Sequence, residues 1–297
     1  MDFCKVYVMG SIPLRSTFIR SCCQEFSEID LLIRCTMQEH VCLIGFDEPE
    51  ISVLKQRISG RVIAHPSLPG FRVEDGQLYV DNEQGGWQSR VDLVIFHGIF
   101  EEDAELFVAL ALWGGPCFPN PLGMLACRDK QACLVRALSQ TRFPGRGRGY
   151  VPAGSVVNLK TEQVAKWGNW HCGENKARIQ GEWCAEYSST LEPFYPGEAV
   201  RVVLLGEDVL QIRLAGDDWL KSIHDPSADF MEVDADLADD TRALARYFDL
   251  PVIANDYIVG EDGTKYLLEV NHIPNVTRFP LIWERYVALV TGWCASA

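Results

Sequence analysis

The chain has 297 residues, 47% hydrophobic and 10% aromatic, which is enough to fill the cores of two or three modest domains. Its 41 acidic and 27 basic residues leave a formal net charge of -14, which argues against a broad nucleic-acid or anionic-membrane surface and for a small-molecule partner. Eleven cysteines without a C-x-x-C pair fit reduced thiols better than a disulfide framework or a zinc site.

No apolar run approaches the ~18 residues of a membrane span, and the start of the chain shows no signal-peptide stretch. The expectation is a soluble, cytoplasmic protein. In chain order, "CKVYVMGS" reads as a buried strand, residues 17–37 as a helix, and "VCLIGFD" as a second strand. The alternation continues to "VDLVIFHGIF" and the amphipathic "EEDAELFVALALWGG", so roughly the first 115 residues predict a small α/β sheet domain. "PCFPNP" at 116–121 interrupts the pattern, the helix-like run "LGMLACRDKQACLVRALS" follows, and "FPGRGRGYVPAGS" is a second break. "GRGRG" at 145–149 reads either as an anion-binding loop or as a flexible surface loop.

Beyond it, "SVVNLK" and "QVAKWG" predict strands leading into the glycine-containing loop "WGNWHCGENK". The rest predicts a hairpin over "EAVRVVLLGEDVLQIRLAG", the helix "LADDTRALARYFDL", a second hairpin over "NDYIVGEDGTKYLLEVN", and a last amphipathic helix from Pro280 to about Trp293. No internal repeat or low-complexity segment is present.

The second hairpin carries the chemistry. In "KYLLEVNHIP" (265–274) alternation puts Glu269 and Asn271 on one face of a strand and Leu268 and Val270 on the other. Asp262-Gly263 is a signal for a two-residue turn, which sets Asp256 directly opposite Glu269. Facing carboxylates destabilise a sheet unless they share a proton or are held by a cation. An amide at Asn271 beside them completes an oxygen set suited to Mg²⁺. The alternative at this point is a solvent-facing hairpin whose polar face is merely polar.

With "DYIVGEDGTKYLLEVNHIP" in view, the chain resembles the ATP-grasp superfamily, whose last strands carry an Asp, then Glu-x-Asn, then Pro. The layout is similar to compact carboxylate-amine ligases of the glutathione synthetase and ribosomal-protein glutamate ligase type. The resemblance implies an α/β (α+β) ATP-grasp fold: an N-terminal α/β pre-ATP-grasp domain over 1–118, a central subdomain over 119–185 and a C-terminal subdomain over 186–297. It implies ATP with two Mg²⁺ ions, Mn²⁺ being able to substitute: Asp256 would hold one ion, Glu269 would bridge both and Asn271 would hold the second.

Lys130 in "CRDKQACLVRAL" matches the Asp-Lys that opens the family's central helix, and Lys166 in "QVAKWGNWHCGENK" matches the strand lysine before the phosphate loop. Both would meet phosphates, although each taken singly reads as a surface lysine. In the loop, Trp170 and His171 would face substrate or simply pack. "TLEPFYPGEAVRV" resembles the adenine hinge. There Glu192 would accept from the adenine amino group, Phe194 would lend backbone groups and Glu198 would bind the ribose hydroxyls.

"VRVVLLGEDVLQIRL" sets Arg201 opposite Arg213 if its loop has three residues, and on the other face if it has two. The family's arginine at the Arg213 position contacts the transferred phosphate. The D-W-x-x-N segment appears as Asp218, Trp219, Leu220, Lys221 and Ser222, with serine at the asparagine place and Lys221 as its compensation. Arg278 is a candidate for a substrate carboxylate, although taken by itself it reads first as a solvated surface arginine. The activity implied is ATP-dependent amide or peptide bond formation through an acyl phosphate, on an amino acid or short peptide, with a homodimer common among relatives. The alternatives are an ATP-binding regulatory protein of the same fold without ligase chemistry, and a small-molecule kinase.

Overall fold

His40–Ile44 (β1) is an apolar run buried along most of its length, as an interior strand of a parallel sheet must be. The computed structural model describes residues 39–81, 89–168, 175–216 and 218–297. The strand read at "CKVYVMGS", the helix read at 17–37, and Trp170, His171 and Cys172 lie outside them. After β1 come α1 (Glu48–Arg57), β2 (Arg61–His65), β3 (Phe71–Glu74), β4 (Gln77–Val80), β5 (Ser89–Val91), β6 (Leu93–Phe96), α2 (Asp103–Trp113) and β7 (Cys117–Phe118). The first sheet runs β2-β1-β6-β7, all parallel, while β3, β4 and β5 form a separate antiparallel meander.

The helical run after 120 is two helices, α3 (Pro121–Arg128) and α4 (Lys130–Gln140). Asp129 stands between them in extended conformation and accepts from the N–H groups of Gln131 and Ala132, so it ends one helix by capping the next. That cap fixes Lys130 at the first position of α4. The next sheet is antiparallel, in the order β10-β9-β11-β8, from β8 (Gly149–Val151), β9 (Val156–Lys166), β10 (Lys176–Cys184) and β11 (Ser189–Pro193). The two strands expected before the loop are one long strand, β9.

The last sheet, β14-β13-β12-β15-β16, is built from β12 (Glu198–Leu205), β13 (Asp208–Arg213), β14 (Asp229–Met231), β15 (Val252–Val259) and β16 (Lys265–Asn271). Between β14 and β15 runs α5 (Ala235–Phe248), and α6 (Pro280–Ser296) ends the chain. One face of this sheet, with Val200, Val202, Tyr257, Leu267 and Val270, packs on α4 and α5. The other, with Val203, Ile212 and Ala254, packs with α6 and with Leu43 and Ile95 of the first sheet.

Two registers decide where the polar residues point. Asp256 does face Glu269, but not across a two-residue turn. The loop is Glu261, Asp262 and Gly263, closed by Gly260 N–H to Thr264 O, with Gly263 at φ 79 in the left-handed region that glycine alone enters freely. The residue thus added to the loop is offset by a bulge at Leu268, which restores the pairing beyond it. The bulge also turns Leu268 off the core side, where alternation had placed it, so that Leu267 and Val270 are buried in the core and Leu268 stands beside Glu269. The other hairpin does have a two-residue turn, Gly206-Glu207, so Arg201 faces Ile212 and Arg213 faces Val200, on opposite sides of the sheet.

Candidate active site

A cavity of about 430 Å³ opens between the β9-β10-β11 sheet and the β12-β15-β16 sheet, roofed by the segment around Trp219. Its carboxylate wall is Asp256 and Glu269. Arg201, reaching from the adjacent strand, grips Asp256 through Nε to Oδ1 at 2.6 Å and Nη2 to Oδ2 at 2.8 Å, the bidentate geometry of a strong pair. Burial opposes the charge on Arg201, yet the charge and hydrogen bonds of Asp256 and the charge of Glu269 raise its pKa above the usual value. Lys130 Nζ lies 2.5 Å from Glu269 Oε1. The repulsion that facing carboxylates would feel is therefore cancelled by one cation from β12 and one from the start of α4.

Asn271 lies two residues beyond Glu269 on the same side, with no bulge between. Its amide nitrogen donates to Ala254 O at 3.2 Å, which leaves Oδ1 as its remaining oxygen. Two carboxylates and an amide oxygen on one face of a sheet are a donor set that fits Mg²⁺.

The opposite wall is cationic. Lys166 on β9 and Lys176 on β10 are cross-strand partners, and both line the cavity. Lys166 Nζ pairs with Glu192 Oε1 at 2.5 Å, and Arg148 approaches the other oxygen, Nε to Oε2, at 3.2 Å. Glu192, only 4% exposed, is thus a carboxylate shared by two cations. The guanidinium of Arg148 is fixed by the carbonyls of Gly145 and Gly147. The 145–149 loop is therefore held at the site rather than free. Gly145, at φ +82, has no room for a side chain, since a Cβ there would meet Tyr195 Oη at 2.5 Å and Tyr266 at 2.7 Å. Aromatic rings stacked with cations finish this side. Arg178 lies 3.9 Å over the Phe194 ring, Phe194 meets Trp219 edge-on, and Lys176 sits 5.8 Å from the Trp219 centroid. The Phe194 N–H is engaged by Glu162 O, so it is not a free donor for a base. Lys221 lines the cavity and donates to Gly216 O at 2.6 Å.

Three candidate residues, Glu198, Arg213 and Arg278, do not converge on the cavity. Glu198 and Arg213 pair with one another at 2.6 Å, both exposed, on the face of the sheet that carries Val200 and away from the cavity. The reason is strand alternation: Ala199 lines the cavity and Arg201 backs Asp256, so Glu198 and Val200 must point the other way. Ser222 is turned outward and accepts the His224 N–H. Arg278 stacks over Phe279 and reaches Asp225 O, outside the cavity lining. Sequence reasoning missed Lys176 and Leu268 and left Arg148 open between an anion-binding loop and a surface loop. Lys176 carried the most signal, because two strands flanking one short loop must bring their lysines face to face.

Facing carboxylates on the terminal hairpin, a lysine wall on a separate small sheet and an α/β sheet ahead of both make up a fold similar to that of solved ATP-grasp ligases. D-alanyl-alanine synthetase A from Vibrio cholerae matches with a TM-score of 0.59 over 87% of this chain and 98% of its own, at 13% identity. The ATP-grasp ligase PsnB, complexed with a phosphomimetic variant of its minimal precursor, Mg and ADP, matches with a TM-score of 0.57 over 86% and 100%, at 14% identity. Macrocyclase MdnC from Microcystis aeruginosa, bound with precursor peptide MdnA, matches with a TM-score of 0.55 over 84% and 99%, at 14% identity. The sequence itself matches no protein-family model and no curated protein. Among the described residues no helix is long and apolar enough to cross a membrane.

Proposed function

We propose that the protein is an ATP-dependent carboxylate-amine ligase that forms an amide or peptide bond on an amino acid or short peptide. The observation that carries this reading is the facing pair Asp256 and Glu269, with Lys130 on Glu269 and Lys166 lining the same cavity from the separate β9 strand. A substrate carboxylate oxygen would attack the γ-phosphorus of ATP, releasing ADP and leaving an acyl phosphate. An amine would then attack the acyl carbon, expel phosphate, lose a proton and leave the amide.

In this scheme the chain supplies position and charge, and no side chain acts as a nucleophile. Lys130 and Lys166 exchange their carboxylates for phosphate oxygens. Arg148 remains on Glu192, so releasing Lys166 does not strand a buried charge. Arg201 holds Asp256 in place beside the transferred phosphoryl. Lys221 stands at the amine side. Glu192 orients the base, and the roles expected of Glu198 and Arg213 lapse. Asp256, Glu269 and Asn271 would hold Mg²⁺, whose contribution is to neutralise the triphosphate.

The test is ADP release with Mg²⁺ and ATP across a matrix of amino acids and small carboxylic acids, with mass spectrometry of each positive mixture. A condensation product supports the ligase, and a stable phosphorylated product would replace it with a kinase. A second reading, nucleotide binding without turnover, is favoured by one observation: Arg213 is turned away from the cavity. ATP binding with no ADP in any mixture would select it. Glu269→Gln should abolish turnover while leaving the fold intact, and normal turnover in that variant would sink the metal assignment.

A further inference from the structure

Lys176 has no task in the scheme above. It opens β10 directly opposite Lys166, and both lysines line the same cavity. Like charges at facing positions of a sheet repel. Lys130, Lys166, Arg148, Arg178 and Arg201 each pair with a carboxylate, but no carboxylate pairs with Lys176 among the described residues. Its ammonium sits over the Trp219 ring, 5.8 Å from the centroid. Burial and the charges of Lys166 and Lys130 lower its pKa, against the opposite pull of Glu269 and Asp256. A half-buried cation set beside a second cation and facing an open cavity costs stability in the unliganded chain. A polyanion reaching both groups would reverse that cost.

We propose that Lys176 and Lys166 form a two-ammonium clamp for an oligophosphate, which makes Lys176 a third lysine that binds the nucleotide and distinguishes polyphosphates from nucleosides. The clamp rests on the ATP reading for the identity of the polyanion, but not for its existence.

The experiment is calorimetric titration of the full chain, wild type, Lys176→Met and Lys176→Arg, with Mg·ATP, adenosine and inorganic tripolyphosphate. A charge-assisted contact is worth about 1.5–3 kcal/mol, or roughly 10- to 100-fold in affinity. Lys176→Met should lose that factor for ATP and for tripolyphosphate and keep the wild-type affinity for adenosine, while Lys176→Arg keeps most of the ATP affinity. Without ligand, Lys176→Met should melt no lower than wild type, because it removes a repulsion. In the alkaline range between the lowered pKa of Lys176 and the ordinary lysine value, wild type should take up a proton on binding ATP and the methionine variant less. ATP affinity within twofold of wild type in Lys176→Met would overturn the clamp. Wild type that binds tripolyphosphate but not ATP, with the methionine loss intact, would remove the ATP reading and leave the clamp standing. Wild type that binds neither would overturn both.

Discussion

Arg201 and Arg213 differ by one step of strand alternation and should differ sharply on substitution. Arg213 and Glu198 are 58% and 44% exposed, and ion pairs that open to water contribute ~0–1 kcal/mol. Arg213→Ala should therefore leave both the melting temperature and ATP affinity near wild type. Arg201 holds Asp256 with both side chains largely covered, 14% and 13% exposed. Arg201→Met would leave Asp256 facing Glu269 with no guanidinium, and removing one partner of a buried pair costs ~3–5 kcal/mol. The expected result is a large fall in melting temperature that Mg²⁺ partly restores, since a cation can take the place of the lost charge. Equal melting of the two variants would show that the pair on β12 and β15 is not the one holding the carboxylates.

At the scale of elements, the start of α5 is tied to the hairpin that carries the site. Asp234 caps the helix by accepting from the N–H groups of Asp236 and Leu237, and the same oxygen accepts from Lys265 Nζ, the first residue of β16, at 2.7 Å. Burial raises the pKa of Asp234, but the bond from Lys265 and the two cap bonds outweigh it and leave it lowered. A carboxyl with a lowered folded-state pKa contributes stability above its unfolded value, near 4, and loses it as pH falls through the folded value. Asp234→Ala should cost about 1–2 kcal/mol at neutral pH and flatten the acid limb of a melting-temperature profile. An unchanged limb would remove Asp234 from the linkage. The same hairpin shows what the sequence could reveal. The pairing of Asp256 with Glu269 was legible, because acid and apolar residues alternate around an Asp-Gly turn. The three-residue loop and the bulge at Leu268 were not, because the two shifts cancel and leave no trace in the spacing. Lys130 was legible through its match to the Asp-Lys of the resemblance, whereas Glu198 was misassigned because the Pro196-Gly197 hinge hides which residue begins the alternation. Arg148 was ambiguous because only contact with Glu192 distinguishes a site loop from a surface loop.

The whole molecule joins two charge systems, and they should respond to different variables. His97, just after β6, stacks on Phe46 and meets Tyr286 of α6 at a tilt, with centroids 5.3 and 5.2 Å away, and burial pushes its pKa down to about 4. Its unfolded value lies near 6.5, so the stability it contributes is complete above that pH, declines as pH falls from 6.5 towards 4, and is then fully lost. The loss is about 3 kcal/mol, and His97→Phe should flatten the melting profile across that window. The site answers to ligand instead. Its cations come from α4, β9, β10 and β12, and its carboxylates come from β15 and β16, so a bound Mg·ATP would bridge the β9-β10 sheet to the hairpin of β15 and β16. At a ligand concentration of about 100 Kd the native state gains ~2.7 kcal/mol, and the gain should be local. Amide hydrogen exchange should slow most in β9, β10 and the first turn of α4, and least in the parallel sheet around His97. The slowing should disappear in Glu269→Gln, which retains the fold but weakens the cation site. Equal slowing in every sheet would point to global stabilisation, and persistence in Glu269→Gln would place the ligand away from the facing carboxylates.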